Sequence, residues 1–202
     1  MKLVIHVFQD HYTENMYALV YLKNIDAEKR RELAAETAAK SDPLTRVYNR
    51  SSFEEEVSDF MTTGEDSARG ALLILDLDDF KQVNDRFGHL KGDEVLKSLA
   101  EVLRHTFRSH DLIGRLGGDE FLVFVKGIEN KEILDRRMDQ LFSRLNDSCG
   151  DFLFCSAGIC FVSGEGFDYQ KALKCADTAL YGSKKKGKRR YSYYEKMEDM
   201  KV

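Results

Sequence analysis

The chain has 202 residues, 43% hydrophobic and 33% charged, with a formal net charge of −4. That balance belongs to a folded globular domain with a core of ordinary size, not to a disordered or fibrous chain. The acidic total argues against a nucleic-acid coat or a polybasic membrane binder, and no apolar run approaches the roughly 18 residues of a membrane span.

The opening MKLVIHVFQDHY lacks a basic start, a long apolar block and a cleavage site, so no signal peptide is expected. LVIHVF alternates like a strand, Gln9–Asn15 is polar, and MYALVYL alternates again, the pattern of an antiparallel hairpin. Two strands alone are marginal in water, so the hairpin is expected to end something larger. After Asn24-Ile25-Asp26 comes AEKRRELAAETAAK, almost all strong helix formers with a thin apolar stripe. Such a helix needs a copy of itself or a neighbour to hold it. Pro43, the single proline, forbids helix before it, which places a domain boundary at Ser41-Asp42-Pro43.

From Leu44 onward helices and strands alternate. Helices are expected over Ser52–Met61, Phe80–Phe87 (stopped at Gly88), Glu94–Phe107, Lys131–Asn146 and Tyr169–Lys184. Strands are expected over Gly70–Asp76, Asp111–Arg115, Phe121–Val125, Phe152–Val162 and Arg190–Tyr194. GALLILD is continuously apolar up to Asp76, as in a central strand buried on both faces. The order predicts an α+β fold with a mixed, mostly antiparallel sheet faced by helices.

The four cysteines, Cys149, Cys155, Cys160 and Cys175, form no C-x-x-C pair and no zinc-finger spacing with any of the five histidines. Cys155 and Cys160 lie five apart in one strand, so alternation sends them to opposite faces. Reduced, buried thiols and a cytoplasmic location are expected.

Three carboxylates carry the chemistry. Asp76 ends a buried strand, and Asp119 and Glu120 sit at the turn of a sheet hairpin after Gly117-Gly118. Singly, each suits an ordinary turn. Together they repel unless a cation lies among them or one holds a proton, and a divalent ion shared with substrate phosphates fits. Lys184–Arg190 places six cations in seven residues at a helix end, either a solvated terminus or a phosphate site. Asn84 and Asp93 can read a base edge, and Asp93 also suits the N-cap of the helix expected from Glu94.

Four stretches carry a resemblance: DPLTRVYNR (Asp42–Arg50), DLDDFKQVNDRFGHLKGDEVL (Asp76–Leu96), RLGGDEF (Arg115–Phe121) and ADTALYGSKKKGK (Ala176–Lys188). In this order the chain resembles the GGDEF family of diguanylate cyclases from about Ser41 to Tyr194. The resemblance implies a palm-like α+β domain related to nucleotidyl cyclases. It implies Mg²⁺, or Mn²⁺, held by Asp76, Asp119, Glu120 and the Leu77 carbonyl, with Asp119, Glu120 and Lys81 in catalytic roles. Asn84 and Asp93 would bind guanine, with His89 near the substrate. Lys81, Lys184 and Lys188 would face the phosphates, cradled by backbone N–H groups around Asp79 and Phe80. Lys188 and Arg189 depart from the family's usual Arg and Asn, and lysine lacks the bidentate fork.

The implied activity condenses two GTP into cyclic di-GMP with release of two pyrophosphates, across a homodimer. Arg108-Ser109-His110-Asp111 stands where the family binds its product for feedback inhibition, with Arg108 and Asp111 as the contacts. Residues 1–25 resemble the last strands of a PAS-like sensor, so the chain reads as a fragment with its upstream sensor mostly missing. Residues 26–41 read as a signalling helix, 42–196 as the cyclase domain and 197–202 as a tail. The alternatives are a silent module that binds GTP or cyclic di-GMP, a cyclase of altered base choice and an ordinary interaction domain. The intact acids argue against the first, Asp93 against the second, and the four-motif coincidence against the third. No nucleic acid and no membrane are expected as partners of this stretch.

Overall fold

In the computed structural model the apolar run around Leu73 is the middle strand of five. The structure describes residues 2–9, 16–23, 26–63, 69–128, 130–149, 154–164 and 166–195. By internal contacts the chain divides into Met1–Ala39 and Lys40–Val202.

In the first unit, strands β1 (Lys2–Gln9) and β2 (Met16–Lys23) pair antiparallel from Lys2↔Lys23 to Gln9↔Met16. Ile5, Val7 and Met16 are exposed at 55%, 60% and 64%. Residues 10–15 of the expected turn lie outside the described residues. Helix α1 (Asp26–Lys40) follows and stops before Pro43, as the sequence requires.

The second unit contains α2 (Arg50–Thr63), β3 (Arg69–Leu77), α3 (Phe80–Phe87), α4 (His89–Thr106), β4 (Leu112–Gly117) and β5 (Glu120–Lys126). It continues with α5 (Lys131–Cys149), β6 (Cys155–Ser163), α6 (Tyr169–Lys185) and β7 (Tyr191–Tyr193). The sheet order is β4-β5-β3-β6-β7, with every pair antiparallel except β6–β7.

Alternation along β3 explains its unbroken apolar run. Leu73, Leu75 and Leu77 join a core with Val95, Leu99 and Leu103 of α4 and Leu134, Met138 and Leu141 of α5. Leu72 and Ile74 join a second core with Phe53 and Val57 of α2 and Ala176 and Leu180 of α6. Each fully buried leucine contributes about 1.5–3 kcal/mol, so β3 is a fixed rod from which Asp76 projects at one end. Cys155 and Cys160 enter opposite cores as free thiols. Burial pushes the Cys155 thiol up, and Cys160 up to about 12, so neither is a ready thiolate.

One expected boundary is corrected. Helix α4 begins at His89, five residues before Glu94, because Gly88 at φ 82° breaks α3 and the chain re-enters a helix at once. Asp93 therefore lies inside the helix and is not its N-cap, which is Gly88. Residues 152 and 153 of the strand expected from Phe152, and 196–202, lie outside the described residues.

Candidate functional site

Strand pairing brings the acids together. In the β3–β5 register Asp76 stands opposite Glu120, the terminal pair of that ladder, at the start of β5 and one residue before the end of β3. The β4–β5 hairpin turns over Gly118-Asp119, with a register shift between Arg115 and Gly117. Gly118 takes φ 53°, where a side chain would be strained. The Leu77 N–H donates to the Asp119 carbonyl at 3.3 Å, tying the turn to the end of β3. Burial raises the proton affinity of Asp76, and Asp119 adds to it against the opposing Lys184. Glu120 is raised by burial, then by Asp76 and Asp119.

Hard oxygen donors under mutual repulsion suit a divalent cation. In the arrangement seen, no three His, Cys, Asp or Glu side chains among the described residues converge tightly enough to hold one. Asp76 meets a lysine instead: Lys184 Nζ lies 2.8 Å from its Oδ2.

The basic run after α6 reaches the same end of the sheet. Lys188 Nζ lies 2.7 Å from Asp79 Oδ1. Asp78, which is buried, accepts from Ser156 Oγ at 2.8 Å and from the Arg189 N–H at 3.0 Å. Lys188 and Arg189 are both left-handed, at φ 61° and 52°, and the Arg189 guanidinium lies 3.4 Å over the Phe154 ring. Phe80 and Lys81 head α3, whose first N–H groups have no acceptor within the helix.

At the α3–α4 corner Asn84 and Asp93 flank Gly92. Asn84 Oδ1 is buried and has no hydrogen-bond partner among the described residues. A Cβ on Gly92 would come within 2.0 Å of that oxygen, so only glycine leaves Asn84 its place. An unpaired buried carbonyl costs about 1–3 kcal/mol, a cost that a donor on a bound ligand would remove. His89, the first residue of α4, is exposed, as is Lys81.

Arg108 and Asp111 lie at the other end of the hairpin, at the root of β4. Asp111 is buried and held by three protein donors: the N–H groups of Arg108 (2.9 Å) and Lys126 (3.1 Å) and Arg137 Nη1 (3.0 Å). Its carboxylate, expected from the sequence as a contact of the product, is taken up by donors of the protein. Beside it Arg108, Lys126, Arg137, Ile128 and Ile133 line a cavity of about 210 Å³.

Sequence reasoning did not assign several residues that shape this site. Asp42 accepts from Thr45 N and Oγ1 at 2.8 and 2.6 Å and from Arg115 Nη1 at 3.2 Å. Arg115 then donates to the Gly118 carbonyl at 2.6 and 3.1 Å, so this clip fixes the turn that presents Asp119. Gly92 and Asp78 have comparable supporting parts. Only Gly92 left a local signal, a glycine in a run otherwise suited to helix.

Comparison with known proteins bears on the family and the fold. Residues 39–190 match the family model for the diguanylate cyclase GGDEF domain. The probable diguanylate cyclase DgcC of Escherichia coli K12 is 35% identical over 169 residues, 81% of this chain and 45% of that protein. Diguanylate cyclase DgcP of Pseudomonas aeruginosa PAO1 is 36% identical over 159 residues, 75% of this chain and 23% of its own length. The solved GGDEF domain of DgcB from Caulobacter crescentus, in complex with c-di-GMP, is 26% identical with a TM-score of 0.71. That match covers 78% of this chain and 97% of the solved one. The chain thus spans less than half the length of either curated relative. With its match across three quarters of the sequence, the chain belongs to the GGDEF family of diguanylate cyclases.

Proposed function

We propose that the domain condenses two GTP into cyclic di-GMP, each of two facing copies presenting one nucleotide to the other. The register that sets Asp76, Asp119 and Glu120 at the same end of a rigid sheet carries this reading, with the side chains drawing closer around a cation than they stand without one. Asn84, with its unpartnered buried oxygen, supports guanine as the base: its amide accepts and donates along the base edge, and Asp93 accepts from N–H groups that adenine does not present.

Lys81, Lys184, Lys188 and the first N–H groups of α3 bind and orient the triphosphate. Glu120, whose proton affinity burial raises, is suited to take the proton from the 3′-oxygen as that oxygen bonds to the partner nucleotide's α-phosphorus and the bond to pyrophosphate breaks. Asp76, Asp119, Glu120 and the Leu77 carbonyl would hold Mg²⁺ or Mn²⁺, which supplies the positive charge that acidifies the hydroxyl and screens the leaving pyrophosphate. Two such displacements close the ring, and His89 sits at the rim of the substrate corner.

At the root of the hairpin we propose product inhibition. Arg108 and Arg137 grip cyclic di-GMP while the buried Asp111 orients Arg137. Arg108→Ala should raise the cyclic di-GMP concentration for half inhibition. Residues 1–25 and 26–41 are proposed to be the end of a sensor and its linker helix, with the exposed apolar side chains of β1 and β2 in support. Residues 42–196 are proposed as the cyclase domain. No helix among the described residues is long and apolar enough to cross a membrane. From its use of GTP, not from that absence, the domain is proposed to work on the cytoplasmic side.

Incubation with GTP and Mg²⁺, with products identified by mass spectrometry, tests the reading. Cyclic di-GMP that disappears in Asp119→Ala is expected. Absence of product at high protein concentration, even in a forced dimer, overturns it.

A further inference from the structure

The two lysines proposed to hold phosphate are both engaged with carboxylates bracketing the β3–α3 turn. Lys184 is on Asp76 at 2.8 Å and Lys188 on Asp79 at 2.7 Å. The Lys184–Asp76 contact is the more sheltered, with side-chain exposures of 37% and 13%. Asp76 is also an acid of the proposed cation site, so one carboxylate charge has two claimants. The carboxylate has lone pairs enough for both, but an ammonium and a divalent ion held against the same group repel each other, so each weakens the hold of the other. The backbone of α6 need not move to resolve the conflict. Ser183 Oγ, next to Lys184, donates to the Ala157 carbonyl at 2.7 Å and pins the helix to β6. Only the lysine side chain, a point charge on a flexible four-carbon stem, has to swing.

We infer that Lys184 is a displaceable counter-cation, seated on Asp76 in the free domain and transferred to a phosphate oxygen when a divalent cation and its nucleotide bind. The inference rests on the reading of this end of the sheet as a cation–nucleotide site. The transfer couples the two ligands. A cation arriving alone must push the ammonium off Asp76 into water, whereas one arriving with a polyphosphate finds a new anion waiting for it. Each ligand therefore favours the other by the same factor. Without Lys184 the acidic end repels itself more strongly and takes a bare cation more readily.

Titration calorimetry of the nucleotide-free protein with Mn²⁺ tests this against Lys184→Gln, Lys184→Arg and Asp76→Asn. Lys184→Gln should bind Mn²⁺ at least about fivefold more tightly than wild type, the low end of ordinary site-to-site coupling. Lys184→Gln should also bind GTP more weakly in the presence of EDTA. Lys184→Arg keeps the competing charge and should show no gain for Mn²⁺. Mn²⁺ affinity in Lys184→Gln equal to or below wild type overturns the inference. If Asp76→Asn binds Mn²⁺ as well as wild type, the ion is not at this end of the sheet and the underlying site reading falls too.

Discussion

At its root the β4–β5 hairpin holds Asp111 with a fully buried side chain, two backbone N–H donors and the Arg137 guanidinium. At its turn Asp76, Asp119 and Glu120 crowd together, and burial and mutual repulsion raise Asp76 and Glu120. The same side-chain chemistry serves opposite ends. An acid satisfied by fixed protein donors stabilises the fold. Acids gathered with too few fixed donors weaken it, which is the condition under which binding a cation is proposed. The hairpin thus separates an anchor from a site along a single pair of strands.

The largest test of that contrast is an exchange of assays. Asp76→Asn should lower cyclic di-GMP production on the order of 10³-fold, the upper range for losing one electrostatic stabiliser, while Tm holds or rises. Asp111→Ala should do the reverse. Stranding buried Arg137 and two N–H groups should cost about 3 kcal/mol in urea unfolding, with turnover per folded molecule retained. A stable Asp111→Ala protein, or an unstable Asp76→Asn one, would break the comparison.

A pH series sharpens it. Asp42 is lowered overall: burial raises it, but hydrogen bonds from Thr45 and the Arg115 charge outweigh that. A depressed acid contributes stability above its ordinary value of 3.8 and loses it as pH falls through its folded pKa. Asp42→Asn should therefore cost about 1 kcal/mol at neutral pH, and the gap should close below pH 3.8. Glu120 is raised, so its deprotonation costs stability as pH climbs from 4.5 through the folded pKa. Glu120→Gln should gain in Tm over wild type across that window. Thermal melts at matched ionic strength would show the two gaps moving in opposite directions with pH.

What was legible in the sequence follows the range of the interaction. The middle strand and the GGDE turn announce themselves, because burial of β3 on both faces and a hairpin turn are local patterns. Asp42 and Arg115 lie 73 residues apart, and no local pattern says that one clips the other. Nothing local to Asp111 tells that Arg137, 26 residues on, holds its carboxylate. The start of α4 was hidden for a different reason. Glycine disfavours a helix interior by about 1 kcal/mol, so no local rule extends a helix through Gly92. The fold accepts that cost to make room for the Asn84 side chain, and a local rule fails where a tertiary contact needs space.

The smallest effect concerns the backbone that carries Lys188. Lys188 and Arg189 are consecutive non-glycine residues in the left-handed region, each costing about 1–2 kcal/mol. The Asp78 carboxylate, held by Ser156, fixes the Arg189 N–H, and the Phe154 ring supports the guanidinium from below. Asparagine tolerates this conformation better, so Arg189→Asn relieves strain while giving up the ring contact, and the two should nearly cancel in Tm. A double-mutant cycle isolates the contact. Phe154→Ala should cost about 0.5–1 kcal/mol more in the Arg189 protein than in Arg189→Asn. Equal costs in both backgrounds would mean that Asp78 alone sets the loop. The turn end would then owe even its basic arm to a buried acid of the kind that Asp111 represents at the root.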